Sequence, residues 1–209
     1  MDTVTVSSRG AARWVRGHPW IYRSDVVESP ADAGLVRVAD TRGKFLGQAL
    51  HSPRSEIRLR LLERSERVVD AAWWKEALAA ALARRAVIDA TAYRVVHGEG
   101  DGLPSLVVDR YDRWAVVQLL SAGLETMRGP ILDAVAAVLG PDGILLRNDV
   151  PVRRREGLTE NVELARGTVP ESIEIREGEI RYLAAPWTGQ KTGAFLDQRP
   201  SRVLAGKLT

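Results

Sequence analysis

The first part of the fold is decided by the stretch Gly34-Leu35-Val36-Arg37-Val38-Ala39 and by the turn Asp40-Thr41-Arg42-Gly43-Lys44 that follows it. Polar and apolar residues alternate along the first of these segments, as they do along a half-buried β-strand. Two further segments, Phe45–Leu50 and Ile57–Leu62, have the composition of strands, and residues 3–6 alternate in the same way. Short strands at regular spacing, joined by glycine-containing turns, predict a compact β-barrel or sandwich over residues 1–68.

A helix is predicted to begin near Asp70, where it marks the boundary of a second domain over residues 69–183. The Asp70 carboxylate is a good N-cap because it can accept the free backbone N–H groups of the first turn. Val69 and Trp74 have the spacing of a hydrophobic staple, which fixes the entry of the chain into a helix.

The rest of this region mixes strands and helices. The sequence predicts a β-hairpin over residues 106–119, a helix within Leu124–Leu139, a strand over Gly143–Arg147 and a second hairpin over residues 173–182. This order is typical of an α+β domain. Residues 184–209 contain too few apolar residues for a unit of their own, so we expect them to be mobile or to pack on another copy of the chain.

The composition is that of an ordinary globular protein, because 45% of the 209 residues are hydrophobic and 27% are charged. The chain contains no cysteine, which excludes disulfides, thiolate metal sites and a cysteine nucleophile. It has no apolar run of the length that a membrane span needs, and its first residues do not form a secretory signal. We therefore expect a cytoplasmic protein without a membrane partner.

The charge is unevenly distributed, although its net value is only +3. Residues 1–68 carry twelve Lys and Arg against eight Asp and Glu, residues 69–183 carry fourteen against eighteen, and residues 184–209 carry four against one. A basic N-terminal module suits a polyanion such as nucleic acid. A solvated, arginine-rich surface without a partner is the alternative that charge alone leaves open.

The segment from Arg13 to Arg23 combines three arginines with tryptophan, tyrosine and histidine rings. Rings can stack on unpaired bases, and guanidinium groups can bind phosphates. We predict RNA contacts for Arg13, Arg16, His18 and Arg23. Trp20 is expected to lie in the core, because a buried tryptophan removes so much apolar area from water.

Three other segments carry clustered polar groups. Arg153, Arg154 and Arg155 are predicted to contact the RNA backbone, with a solvated loop as the alternative. Gly98–Pro104 interleaves glycines with two carboxylates, but it lacks the Lys-Ser/Thr pair of a phosphate loop and the ligand number of a calcium loop. We interpret it as a flexible turn and predict no metal site. The third segment, Thr188–Arg199, is rich in hydrogen-bonding side chains and small residues, which let a ligand approach the backbone.

Several of these segments together resemble one protein family. Gly17-His18-Pro19-Trp20-Ile21 is similar to the start of the PUA domain in the large-subunit rRNA methyltransferase I family, and residues 101–111 resemble the signature of its central domain. Gln118–Gly123, then Arg147-Asn148-Asp149 with residues 153–157, and then Lys191–Arg199 follow in the family order. The resemblance covers nearly the whole chain.

The resemblance implies a class I enzyme that uses S-adenosylmethionine (SAM), and no metal, to methylate cytosine C5 in 23S rRNA. Members carry an N-terminal PUA domain, a central α+β domain and a C-terminal Rossmann-like catalytic domain. The last segment would be a connecting hairpin that borders the catalytic pocket, through Lys191, Thr192, Gly193, Phe195, Asp197, Gln198 and Arg199. The resemblance also indicates a homodimer.

The sequence departs from the family pattern in one respect. The family's glycine-rich cofactor loop and catalytic cysteine come after the last matched segment, and C5 methylation needs a thiolate that adds to C6 of cytosine. We therefore expect the Rossmann-like domain to be absent after residues 184–209, and we predict no catalytic residue. The chain is predicted to be the RNA-binding portion of such an enzyme, inactive alone. The alternatives are a stand-alone PUA-type RNA-binding adaptor and a structural or oligomerisation module without an RNA role.

Overall fold

The computed structural model describes residues 1–206. The first domain is a six-stranded sheet that consists of β1 (Thr3–Val6), β2 (Trp20–Tyr22), β3 (Val26–Glu28), β4 (Gly34–Asp40), β5 (Phe45–His51) and β6 (Ile57–Glu63). Their order in the sheet is β2-β6-β5-β4-β1-β3, and β1 and β4 run parallel. The two edge strands, β2 and β3, are joined by only three residues, so the sheet must curl until its edges approach each other.

A short helix, α1 (Ser8–Val15), covers the core of this domain. The Ser7 hydroxyl caps it by accepting a hydrogen bond from Gly10 N at 3.2 Å. Trp14 is fully buried together with Val4, Val38 and Leu59. The sequence analysis missed α1, because eight residues are too few for a clear helical period.

The second domain is built on a five-stranded sheet in the order β11-β10-β9-β8-β7. The strands are β7 (Ala92–His97), β8 (Leu106–Tyr111), β9 (Trp114–Leu119), β10 (Gly143–Arg147) and β11 (Val162–Gly167). The helices are α2 (Ala71–Ala83), α3 (Ala122–Glu125), α4 (Arg128–Leu139) and α5 (Val152–Glu156). Both predicted hairpin strands of residues 106–119 are present, whereas the single helix predicted within residues 124–139 is divided into α3 and α4.

The prediction of the fold class is wrong for this domain. β9 and β10 pair in parallel, and the chain passes from one to the other through α3 and α4. This is a βαβ crossover, the unit from which Rossmann-like sheets are built. The prediction was instead an α+β domain, with the Rossmann-like domain absent after residues 184–209. β7 and β11 were not predicted from the sequence. Without these two strands, the parallel pair of β9 and β10 could not be placed inside a five-stranded sheet.

The sheet is buried on both faces. α2 and α4 cover one face, where Trp74, Leu78 and Ile131 meet Val117. A hairpin of β12 (Ile173–Glu177) and β13 (Ile180–Ala184) covers the other face, where Ile175 packs in one cluster with Tyr111 and Val116. Neighbouring residues such as Val116 and Val117 therefore belong to different cores, as the alternation of side chains along a strand requires.

The final segment differs from the expectation of a connecting hairpin that is mobile or packs on another copy of the chain. Residues 185–206 form no hairpin and are not left without a core, since Trp187, Ala194 and Leu196 pack against the second face of the sheet. The last helix, α6 (Arg199–Ala205), is held by Arg202, which donates to the buried Glu177 carboxylate at 2.8 Å. The apolar residues of this segment thus share the core of the preceding domain instead of needing one of their own. Among residues 1–206, no helix is long and apolar enough to cross a membrane.

Candidate nucleic-acid interface and adjoining cleft

The predicted RNA contacts of the first domain lie on and around α1. Arg13 stacks over the ring of Tyr22, with its Cζ atom 4.9 Å from the ring centroid. Its guanidinium also lies 3.5 Å from Asp25, a buried carboxylate that Arg9 contacts as well. Arg13 is therefore held in one orientation on the surface, which presents a flat cation beside an aromatic ring.

His18 lies beside this pair and contributes a third ring. Its ring centroid is 6.2 Å from that of Tyr22 and 5.9 Å from that of Trp20. The Trp20 backbone N–H donates to His18 Nδ1 at 3.1 Å, which fixes the imidazole plane. The Trp20 indole donates to Glu99 of the second domain at 2.7 Å, so Trp20 joins the two domains. Its side chain is only half-buried and lies in none of the three hydrophobic clusters, so the expectation that Trp20 lies in the core is wrong.

Arg16 and Arg23 are the exposed cations of this face. Arg16 forms the C-terminal cap of α1 and makes no side-chain hydrogen bond or ion pair with any described residue. Arg23 is 64% exposed and lies 3.6 Å from Glu56, which is 79% exposed, so solvent weakens the pair. We call Arg13, Arg16, His18, Tyr22 and Arg23 the α1 face.

The three consecutive arginines differ in their burial and in their partners. Arg153 is buried, with 3% of its side chain exposed, and it donates to Leu119 O, Thr159 O and Glu125. It is a structural residue that joins α5 to β9 and α3, so the prediction of an RNA contact is corrected for Arg153. Arg154 forms a two-pronged pair with Glu160, whereas Arg155 is exposed and has no ion pair among residues 1–206.

The glycine and carboxylate segment forms a tight turn over Gly98–Asp101. Asp101 accepts from Arg84 at 2.8 Å, from Arg85 at 2.6 Å and from His97 N at 2.7 Å. Its burial raises the pKa, but these hydrogen bonds outweigh the burial and lower the pKa to about 2. Both carboxylates of the segment are thus used within the protein, and the described chain has no cluster of acidic and histidine side chains that could hold a metal ion.

The Lys191–Arg199 segment borders a cleft of about 270 Å³. Of the predicted border residues, Lys191, Asp197 and Arg199 line the cleft, together with Tyr93, Arg94 and His97 of β7. The sequence analysis missed those three, because it did not recognise β7. The cleft therefore contains three cationic side chains, one carboxylate, a phenol and an imidazole.

Thr192 fixes this segment to the sheet from below the cleft. Its hydroxyl donates to Asp109 at 2.6 Å and lies 2.9 Å from the Tyr111 hydroxyl, which accepts from Ala194 N at 3.1 Å. Arg94 donates twice to the same buried Asp109, and this pairing raises the arginine pKa. Burial raises the pKa of Tyr111 as well, so its hydroxyl stays protonated. Gly193 has a φ of +136°, a conformation that favours glycine.

A curled sheet with a basic, ring-bearing face, followed by a mixed α/β sheet, defines a protein with one β domain and one α/β domain. The family described as PUA-like domain matches residues 4–64. Ribosomal RNA large subunit methyltransferase I from Alteromonas mediterranea is 37% identical over 198 residues, and the same enzyme from Vibrio vulnificus is 39% identical over 201. These matches cover 91% and 92% of this chain. The chain belongs to the ribosomal RNA large subunit methyltransferase I family, and it spans about half the length of the curated relatives it matches.

Solved structures show the same fold. A proposed SAM-dependent methyltransferase from Streptococcus mutans has a TM-score of 0.79 at 22% identity and covers 97% of this chain, which covers 53% of it. A proposed methyltransferase complexed with SAH has a TM-score of 0.82 at 22% identity and covers 97%. Residues 69–206 thus share a fold with these structures. This finding corrects the expectation that the Rossmann-like fold is absent from the chain. The comparison does not support a missing cofactor-binding domain.

The residues at the parallel strand pair do not fit SAM. Nucleotide cofactors bind α/β sheets outside the carboxyl ends of parallel strands. At that edge Asn148 accepts a hydrogen bond from Leu119 N at 2.9 Å, and Glu156 accepts one from Ala122 N at 3.1 Å. Gly123 packs so closely on the first domain that an added Cβ would lie 2.7 Å from His51 O. Protein groups therefore fill this edge.

Proposed function

We propose that this chain binds 23S rRNA through the α1 face and that it acts within a SAM-dependent rRNA methyltransferase. The observation that carries the proposal is the group of Arg13, His18 and Tyr22, in which a fixed guanidinium and two rings lie side by side next to the exposed Arg16. Such a surface can bind phosphates and stack on unpaired bases. The named relatives and the PUA-like match support rRNA as the ligand.

RNA binding is tested by fluorescence anisotropy of a labelled 23S rRNA fragment over a series of salt concentrations. Contacts to phosphates release counterions, so affinity must fall as salt rises. Arg16→Gln should weaken binding and reduce the slope of log affinity against log salt by about 1. Arg42→Gln is the matched control, because Arg42 is an exposed arginine in the turn between β4 and β5. Binding that ignores salt, or that Arg16→Gln leaves unchanged, contradicts the proposal.

The cleft beside Lys191, Asp197 and Arg199 is proposed to border the catalytic pocket, with Thr192, Gly193, Phe195 and Gln198 shaping the segment that forms its wall. SAM is the proposed cofactor of the whole enzyme, and transfer of its methyl group is the chemistry it supplies. The anchoring of Thr192 on Asp109 supports this proposal, because it holds the wall rigid.

The 209 residues themselves are proposed to transfer no methyl group to cytosine C5, since they contain no thiol that could add to C6. The test measures the incorporation of radiolabelled methyl groups from SAM into 23S rRNA. Turnover by the purified chain would overturn this part of the proposal. A homodimer and a cytoplasmic location remain predictions, the first of which light scattering on the purified chain can check.

A further inference from the structure

A second group of cations lies where the two domains meet. The loop between β5 and β6 is closed by hydrogen bonds from Ser52 N to Arg58 O and from Ser55 N to Ser52 O. Arg54, at the tip of this loop, packs on Gly157 at the end of α5, where an added Cβ would lie 2.7 Å from Arg54 Cδ. The exposed Arg155 precedes that glycine by two residues. Arg54 of the first domain and Arg155 of the second therefore lie close together.

Arg58 is the unusual member of this group. It is only 9% exposed, yet its guanidinium makes no hydrogen bond or ion pair with any residue from 1 to 206. Burial lowers its pKa, and repulsion from the nearby Arg23 lowers it further, while the exposed Glu56 opposes the shift. No Arg58 nitrogen is among the fully buried, unpaired atoms of the described chain, so the guanidinium still reaches solvent. Two like charges are thus held close together without a fixed anion, at a place that a phosphate can reach.

We infer that Arg23, Arg54, Arg58 and Arg155, here called the junction strip, bind successive phosphates of one RNA strand that crosses from the first domain to the second. The inference rests on the proposed function and extends the ligand beyond the α1 face. Arg23 belongs to both surfaces, so they are continuous. Bound phosphates would supply the anion that Arg58 lacks and would remove the repulsion between Arg23 and Arg58.

A buried ion pair between the domains supports the binding of one RNA strand along both of them. Arg60, two residues after Arg58 on β6, forms a buried ion pair with Glu156 of α5 at 2.8 Å. Arg58 is therefore two residues from Arg60, and Arg155 is next to Glu156. Both arginines flank the ion pair that joins the domains. Because this ion pair holds the two domains together, it pre-organises the backbone positions of the strip for a single polymer that contacts both domains.

The test measures the slope of log affinity against log salt for the labelled 23S rRNA fragment and compares it between variants. Arg54→Gln and Arg155→Gln should each lower the slope by about 1, as Arg16→Gln does on the α1 face. Arg42→Gln serves again as the control, since its turn lies at the far end of β5, roughly 20 Å from the junction at about 3.4 Å per residue. If only Arg16→Gln reduces the slope, the junction strip is wrong and the proposed function stands. If the unaltered chain does not bind the RNA, both fail.

Arg58→Met separates a binding role from a structural one. Methionine keeps most of the buried volume and removes the unpaired charge, so the melting temperature should stay the same or rise while RNA affinity falls. A lower melting temperature with unchanged affinity would show that Arg58 supports only the fold, which overturns its place in the junction strip. Competition by polyglutamate as strong as that by RNA would assign the strip to an acidic polypeptide and would equally overturn the inference.

Discussion

At the scale of single residues, Asp101 shows how strongly this protein uses its carboxylates to hold arginines. Its side chain is 3% exposed and accepts hydrogen bonds from Arg84, Arg85 and His97 N. The carboxylate fixes the end of α2 to the turn after β7. Its pKa is about 2, well below the ordinary value of 3.8, in spite of the partial burial that alone would raise it.

Asp101→Asn should reduce the free energy of unfolding by about 2 kcal/mol at neutral pH, since one pKa unit corresponds to about 1.4 kcal/mol. A depressed pKa means that the stabilisation is fully present above the ordinary value of 3.8 and is lost as pH falls through about 2. The difference between variant and parent should therefore disappear over that range. Urea denaturation at several pH values measures it.

Asp89→Asn is the control for this prediction, because Asp89 also pairs with an arginine, Arg176, but its side chain is 75% exposed. Solvent screens such a pair, so the control should change stability far less. An equal loss of unfolding free energy in the two variants would show that the buried hydrogen bonds of Asp101 contribute no more than an exposed ion pair.

At the scale of elements, α2 is the helix that its own sequence defines best. The Asp70 carboxylate accepts from Trp73 N at 2.9 Å, as the N-cap prediction requires. Trp74 and Leu78 are buried on the face that meets the sheet. Helix ends leave backbone donors unpaired, and this carboxylate satisfies one of them.

Asp70→Ala should lower the free energy of unfolding by about 1 kcal/mol, because the first turn of α2 loses its cap. Asp70→Ser, which keeps a capping oxygen, should retain most of the stability. Thermal unfolding followed by circular dichroism compares the three proteins. Equal stability of the alanine and serine variants would mean that the hydrogen bond to Trp73 N contributes nothing.

At the scale of the whole molecule, one buried network joins the domains. Arg60 and Glu156 pair at 2.8 Å with side chains that are 6% and 2% exposed, and the Ser52 hydroxyl accepts a hydrogen bond from Gly123 N. Burial raises the pKa of Glu156, but Arg60 and the neighbouring donors lower it below its ordinary value. The network fixes the α1 face relative to the cleft.

Glu156→Leu should reduce the free energy of unfolding by roughly 3 kcal/mol, because it leaves the Arg60 cation buried and unpaired. The double variant Arg60→Met/Glu156→Leu should recover most of this loss, since apolar residues of similar volume can replace a buried ion pair. Calorimetry should show the single variant unfolding in two steps and the parent in one. A double variant as unstable as the single one would contradict the ion-pair explanation.

Local sequence signals were sufficient to predict several elements of the fold. Alternation defined the strands around Gly34–Leu62, the Asp70 cap defined α2, and the hairpin near Gly178 was evident from its turn. The sequence also identified Arg16, Arg23 and Arg155 as arginines that the structure leaves exposed. These features depend on neighbours within a few residues, which a pattern can record.

The remaining features depend on tertiary contacts that no local pattern records. The burial of Arg153, the parallel pairing of β9 with β10 and the docking of Thr192 on Asp109 all join residues that are distant in the sequence, 83 positions apart in the last case. The last segment packs on the second face of the sheet, and the Arg58 guanidinium makes no hydrogen bond or ion pair with any residue from 1 to 206. Such outcomes depend on which surfaces meet after folding, because burial and pairing are properties of three-dimensional neighbours.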